Sequence, residues 1–257
     1  PPPPPPPPPP FLTRPPPTPT LSIDRRQRQM CIRDRIKGVG RPAIATPIPT
    51  PEGNPTILLD AGANAECQAD WLVQFAQMGA VYSRRRYGGE TPRVGLLSIG
   101  EEPGKGNSLA KEAHELLSDD TFGDASGASF VGNVEGRDIM SSEVDVIVTD
   151  GFTGNVVLKT LEGGIGAVLD RLRALMDADE QSRAAVVPIL PGLTEIFHDL
   201  DPDTYGAALL LGVKGVSLIS HGASGPEAIC NALRTAVDLV EMDLVTALAE
   251  AVGSADG

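Results

Sequence analysis

The stretch Glu143 to Lys159, EVDVIVTDGFTGNVVLK, sets Asp150, Thr153, Gly154 and Asn155 directly after a run of β-branched residues. It reads as a strand from Val144 to Val148, a turn from Asp150 to Gly154 and a helix from about Asn155. The turn puts Thr153, Gly154 and Asn155 at a helix N-terminus, where free N–H groups and the helix dipole favour an anion. A second stretch, Gly100-Glu101-Glu102-Pro103-Gly104-Lys105-Gly106-Asn107, is glycine-rich, carries one lysine and precedes a helical pattern. That composition suits a phosphate cradle, although the spacing is not that of a Walker A loop. Asp60 and Asn64 end a third short apolar run. Asn64 there reads as a helix cap, a ligand contact or both. Gly132-Asn133 ends a fourth, and His221, before Gly222-Ala223-Ser224-Gly225, ends a fifth. Cys31, Cys67 and Cys230 have no metal-ligand spacing and form no disulfide framework, which fits a reducing, cytoplasmic setting.

The elements that must position these residues repeat one order: strand, Gly-rich polar turn, helix. Thr56 to Asp60 is a short buried strand, followed by a helix from about Cys67 to Arg86. Arg93 to Ile99 is a strand, and Ser108 to Leu117 a helix that carries His114 as a surface residue. Ala128 to Val131 is a strand. A long helix after Asn155 repeats apolar residues at Val157, Leu161, Ile165, Leu169, Leu172 and Met176. Its Gly163, Gly164 and Gly166 suit close packing on a partner helix. Val216 to Ser220 is the last strand. Ser224 and Glu227 have capping-box spacing, and the final helix repeats Ile229, Leu233, Val237, Val240, Leu244 and Leu248. Strands without polar alternation, separated by helices, predict an α/β fold with a mostly parallel sheet covered on both faces.

The chain has 257 residues, a net charge of −13 and 4% aromatics. The acidic balance argues against a nucleic-acid partner. No apolar run reaches the length of a membrane span. Residues 1–35 open with ten prolines and end in RRQRQMCIRDR. Polyproline forms an extended rod without a core, and RQMCIRDR resembles translated sequencing-adapter sequence. Residues 1–35 are therefore expected to be non-native, and 36–257 to form the domain. Gly38-Val39-Gly40-Arg41-Pro42-Ala43 matches G-x-G-x-x-A without the preceding strand that a dinucleotide fingerprint needs. Arg84, Arg85 and Arg86, with Arg93 nearby, form a basic cluster suited to a solvated helix end or to docking an acidic partner. Residues 184–203 begin apolar, as a buried loop with a short helix or as an element at a membrane interface; Glu180, Glu195, Asp199, Asp201 and Asp203 would repel anionic lipid.

Together LLDAGAN, LLSIGEEPGKGN, VGNVEGRD, VTDGFTGNVVLKT and SHGASG resemble the PlsX family of phosphate acyltransferases. The resemblance covers about residues 36 to 250. It implies a three-layer α/β/α sandwich related to phosphotransacetylases and isocitrate-type dehydrogenases. It also implies conversion of acyl-acyl carrier protein and inorganic phosphate into acyl phosphate, early in phospholipid synthesis. A homodimer, a peripheral membrane association and a membrane acyltransferase partner are implied with it. Family members begin with an Asp-Ala-Met-Gly-Gly-Asp strand and a long segment for which this sequence has no counterpart, so the domain is expected to be incomplete at its N-terminus.

On that resemblance, Asn133, Asp150, Asn155 and His221 are the catalytic candidates. Asp60, Asn64, Lys105, Asn107, Thr153 and Gly154 are the candidates for holding substrate and phosphate. Phosphate would lie near the N–H groups of Thr153 to Asn155, helped by Lys105 and His221, with Asn133 or Asn155 donating to the oxyanion. Asp60 and Asp150 would orient these donors. Arg84, Arg85, Arg86 and Arg93 would dock the carrier protein. The reaction calls for no metal or redox cofactor. Two rivals stand beside it: a nicotinamide-dependent dehydrogenase, which lacks its fingerprint, and an inactive remnant that binds carrier protein or membrane.

Overall fold

The computed structural model describes residues 34–51, 53–200, 204, 207–220 and 225–253. Residues 1–33, His221, Ser224 and 201–203, all named above, lie outside the described residues. The core of the fold is a seven-stranded sheet in the order β4-β3-β5-β2-β1-β6-β7. The strands are β1 (Ala43–Ile48), β2 (Thr56–Leu59), β3 (Arg93–Leu97), β4 (Ser129–Val134), β5 (Val146–Val148), β6 (Ala208–Leu211) and β7 (Leu218–Ile219). β2, β3, β4 and β5 run parallel to one another. β1 is antiparallel to both β2 and β6, and β6 to β7. The sheet is therefore mixed, with its parallel half carrying the glycine-rich turns.

Alternation explains why the parallel strands read as continuous apolar runs. Ile57, Leu59, Val94, Leu96, Val146 and Val148 face one side and join the larger core. That face is covered by helix α1 (Ala69–Tyr87), through Leu72, Phe75, Ala76 and Met78. Leu58 and Ile147 face the other side, where Val157, Leu158 and Leu161 of the long helix α4 (Gly151–Met176) pack on them. A strand covered on both faces has no polar face to show. Around α1 lie α2 (Ser108–Leu117), α3 (Asp120–Ser126) and α8 (Leu244–Gly253). α5 (Glu180–Val186), α6 (Leu190–Asp199) and α7 (Pro226–Glu241) complete the described helices.

Several expected elements are corrected. β1 and β6 were not expected; Pro47 inside β1 and Pro42 before it disguise that strand. The helix expected from Asn155 begins at Gly151, so Asn155 lies in its second turn. β4 runs on to Val134, because Gly132 (φ +97°) continues the strand through an irregularity that leaves Val131 without a partner on β3. The final helix is two, broken at Asp243 (φ +50°). Its stripe Ile229, Leu233, Val237 and Val240 faces solvent, while Leu244 and Leu248 are buried. Nothing lies within contact distance of a β-carbon placed on Gly163, Gly164 or Gly166, so no described helix packs there. Residues 184–199 are helical and lack buried side chains, with Val187, Ile189 and Ile196 more than half exposed.

Candidate functional site

Because β2, β3, β4 and β5 are parallel, their carboxyl ends open on one rim. The loops after them carry Asp60 and Asn64, then Lys105 and Asn107, then Asp150, which leads into the first turns of α4 with Thr153, Gly154 and Asn155. Asn133 lies at the end of β4 itself, opposite Leu96. An open α/β sheet binds ligands at such a rim. β7 runs opposite to these strands.

Asp60 is fully buried. Its Oδ1 accepts from the N–H groups of Ile44 (3.0 Å), Gly62 (3.1 Å) and Ala63 (2.9 Å). Its Oδ2 accepts from the backbone N–H (2.7 Å) and the side-chain amide (2.9 Å) of Asn64. Asn64 also donates to the carbonyl of Pro42 at 2.8 Å, and its own carbonyl accepts from Gly151 N–H at 2.7 Å. A buried carboxylate survives only with such a full set of donors. Asp60 therefore shapes the loop after β2 and ties it to the start of α4.

Gly151 and Gly154 allow that contact. A β-carbon on Gly151 would stand 2.5 Å from the Asn64 carbonyl oxygen and 2.7 Å from Asp60 Oδ2. One on Gly154 would collide with the Asp60 carbonyl. Asp150 is the N-cap: its carboxylate accepts from Thr153 N–H at 2.9 Å and from Thr153 Oγ1 at 2.7 Å. Gly154 N–H donates to the Asp150 carbonyl at 2.9 Å. This corrects the expected anion cradle, since the Thr153 and Gly154 N–H groups are already spent inside the helix start. The Asn155 side chain is exposed and lies 3.4 Å from a β-carbon placed on Gly62, so it overhangs the loop after β2.

The glycine-rich loop is closed by a turn, in which Lys105 N–H donates to the Glu102 carbonyl at 3.0 Å. Lys105 is exposed and folds its stem over Gly100. Its ammonium has no ion-pair partner among the described residues. Asn107 caps α2, accepting from Ala110 N–H at 2.9 Å. Ser98 Oγ is buried beneath Gly106 and has no hydrogen-bond partner among the described residues. Asn133 is buried, and both ends of its amide are engaged: Nδ2 donates to the Glu102 carbonyl at 2.8 Å, and Oδ1 stands 3.0 Å from His114 Nδ1. His114, expected on the surface, is half-buried and packs edge-on against Phe130. No signal in the sequence pairs it with Asn133. A groove of about 580 Å³ opens on the outer side of β4, lined by Glu101, His114, Leu117, Phe122 and Phe130 among others. None of residues 60–64 or 150–155 is among its lining residues.

The arginine cluster is largely committed inside the fold. Arg84 donates to the carbonyls of Ser126 (3.2 Å) and Gly127 (3.3 Å). Arg86 pairs with Asp238 at 2.6 Å, and Arg93 with Asp145 at 2.9 Å. Arg85 is exposed and has no partner among the described residues. Cys67 sits behind the Asp60 loop, with Sγ 3.6 Å from the Asn64 carbonyl. Burial pushes its thiol up to about 11, and the nearby Asp60 and Asp150 carboxylates add to the effect against a hydrogen bond to Gly151. A protonated thiol is a poor nucleophile. Among the described residues no group of His, Cys, Asp or Glu could hold a metal ion. None of the described helices is long and apolar enough to cross a membrane.

The family model described as "Fatty acid synthesis protein" matches residues 26–247. The phosphate acyltransferase of Elusimicrobium minutum is 47% identical over 212 residues, covering 82% of this chain and 60% of that protein. That of Thermobifida fusca is 48% identical over 205 residues, 80% of this chain and 56% of that one. That of Bacillus subtilis is 40% identical over 218 residues, 85% and 64%. The chain thus spans about 60% of the length of the Elusimicrobium relative. A branched-chain phosphotransacylase from Enterococcus faecalis superposes with a TM-score of 0.46 at 16% identity, over 78% of this chain and 66% of that one.

Proposed function

This chain belongs to the fatty acid synthesis protein family, and from that premise we propose that it forms acyl phosphate from acyl-acyl carrier protein and inorganic phosphate. The observation that supports the reading is the shared rim: Lys105 follows β3 and the Asp60–Asn64 loop follows β2, both after strands that run parallel in one sheet, and Asn155 after β5 overhangs the Asp60–Asn64 loop. A phosphate oxygen attacks the thioester carbonyl carbon, the tetrahedral oxyanion forms, and the C–S bond breaks to release the carrier thiolate. Phosphate is partly dianionic at neutral pH, so the step needs positioning and charge stabilisation more than a strong base. In this reading the Lys105 ammonium holds phosphate and the Asn155 amide faces the reacting carbonyl. Asp60, Asn64 and Asp150 keep the loops in register, while Thr153, Gly154 and Asn107 shape the helix starts. Asn133 acts through its hold on the glycine-rich loop.

Acyl carrier protein is acidic, and Arg85 is the arginine of the cluster best placed to meet it. The exposed Val187, Ile189 and Ile196 support a peripheral membrane contact by residues 184–203, near the site of a membrane acyltransferase that would consume the product. A homodimer belongs to the same reading. The test is an acyl-phosphate assay on this chain with acyl-acyl carrier protein and inorganic phosphate. Lys105→Ala and Asn155→Ala are each expected to lower kcat/KM by about 100-fold or more. Unchanged acyl-phosphate formation in both variants would overturn the assignment.

A further inference from the structure

We infer that His114 is a positioning residue that, through Asn133, holds the turn aiming Lys105. The Glu102 carbonyl oxygen can only accept hydrogen bonds. It accepts two: from Lys105 N–H at 3.0 Å, which closes the turn Glu102-Pro103-Gly104-Lys105, and from Asn133 Nδ2 at 2.8 Å. That second bond orients the Asn133 amide, because its nitrogen must face the carbonyl. Its oxygen then faces His114 Nδ1 at 3.0 Å, so Nδ1 carries the proton. His114 is thereby held as the Nδ1–H form, edge-on to Phe130 with ring centroids 5.2 Å apart. The chain of contacts runs from α2 through β4 to the turn.

Among the described residues, Glu101, which immediately precedes the turn, makes a second tie on this flank, an ion pair with Arg137 at 2.8 Å. Its side chains are 65% and 67% exposed, and exposed pairs contribute little. Asn133 is only 5% exposed, so its hydrogen bonds work where water competes least. The buried tie therefore outweighs the exposed one.

That this latch serves phosphate binding rests on the acyl-phosphate reading; the latch itself does not, and the experiment separates the two. Amide hydrogen exchange is followed across residues 100–107 in the full chain, with residues 72–81 of α1 as internal control. His114→Leu keeps the packing volume and removes the donor; it is expected to speed exchange in 100–107 about fivefold or more while α1 is unchanged. His114→Asn restores an N–H close to the Nδ1 position and is expected to stay within about twofold of the parent. Asn133→Asp, which sets a second acceptor against the Glu102 carbonyl, is expected to behave like His114→Leu, and Arg137→Met like the parent. The latch is overturned if His114→Leu or Asn133→Asp leaves exchange in 100–107 unchanged, or if His114→Asn exchanges as fast as His114→Leu. In the acyl-phosphate assay, His114→Leu should raise KM for inorganic phosphate at nearly constant kcat, with recovery in His114→Asn. A parent chain that forms no acyl phosphate would sink the functional reading and leave the exchange result to judge the latch alone.

Discussion

Gly154 lies directly against the backbone carbonyl of Asp60, with no room for a β-carbon between them. Neither partner can retreat. Asp60 is fixed by five accepted hydrogen bonds, and Gly154 sits in the first turns of α4. Gly154→Ala should therefore cost about 3 kcal/mol, at the upper end of ordinary overpacking. For a chain of this size that is roughly 6–12 °C in Tm. Calorimetry of the pair would check it, and a Tm within a degree or two of the parent would show that the two elements can separate.

Asp60→Asn is expected to cost about 3 kcal/mol. In either orientation the new amide nitrogen faces N–H groups that had an oxygen to meet, and a fully buried site offers them no water. Urea unfolding should show a lower midpoint with an unchanged m-value. An unaltered midpoint would mean that the loop after β2 is held by something else.

The Arg93–Asp145 pair predicts a pH dependence. Burial alone would raise the Asp145 carboxyl, but hydrogen bonds from the Arg93 side chain and backbone, with the guanidinium charge, outweigh it and hold the carboxyl below its ordinary value. A depressed carboxyl stabilises the fold above its unfolded value of about 3.9 and loses that contribution as pH falls through the folded value. Both side chains are about a third or more exposed, so the pair is worth less than about 1 kcal/mol. Asp145→Asn should lower stability slightly at pH 7 and flatten the loss below about pH 4. Parallel curves for parent and variant would exclude the linkage.

The two described cysteines should react very differently. Cys230 is exposed, whereas the Cys67 thiol is raised to about 11. At pH 8, alkylation at Cys67 is expected to be at least about 100-fold slower, since so little thiolate is present. Peptide mass spectrometry after timed iodoacetamide treatment reads both sites at once. Equal rates would mean that the Asn64 loop opens freely.

Arg85 and Arg86 separate docking from stability. Arg85→Glu should raise KM for acyl carrier protein several-fold, leave kcat nearly unchanged and leave Tm alone. Arg86→Glu breaks the ion pair that joins α1 to α7 and should lower Tm as well. If Arg85→Glu leaves KM for the carrier unchanged, docking lies elsewhere.

Local order was readable where local rules suffice. β2 and β5 announce themselves because strands covered on both faces are apolar throughout, and α2 runs over the residues that its pattern predicts. β1 has no such signature, because Pro47 inside it and Pro42 before it mask a strand whose pairing lies across the sheet. The pattern alone ends this strand at Gly132-Asn133; only pairing with β3 shows that it continues. The stripe on α7 faces solvent, since periodicity reveals that a helix has an apolar face, not what covers it.

The sequence by itself determined the family and the strand–turn–helix order. Those follow from backbone sterics and from residue patterns within a few positions. Tertiary structure decided which polar groups remain available. Thr153 N–H is consumed by Asp150, Asn133 by Glu102 and His114, and three of four arginines by partners far along the chain, while Lys105 and Asn155 stay exposed. Hydrogen-bond partners are set by distance in space, and a residue's type records what it can donate or accept, not which partner reaches it first.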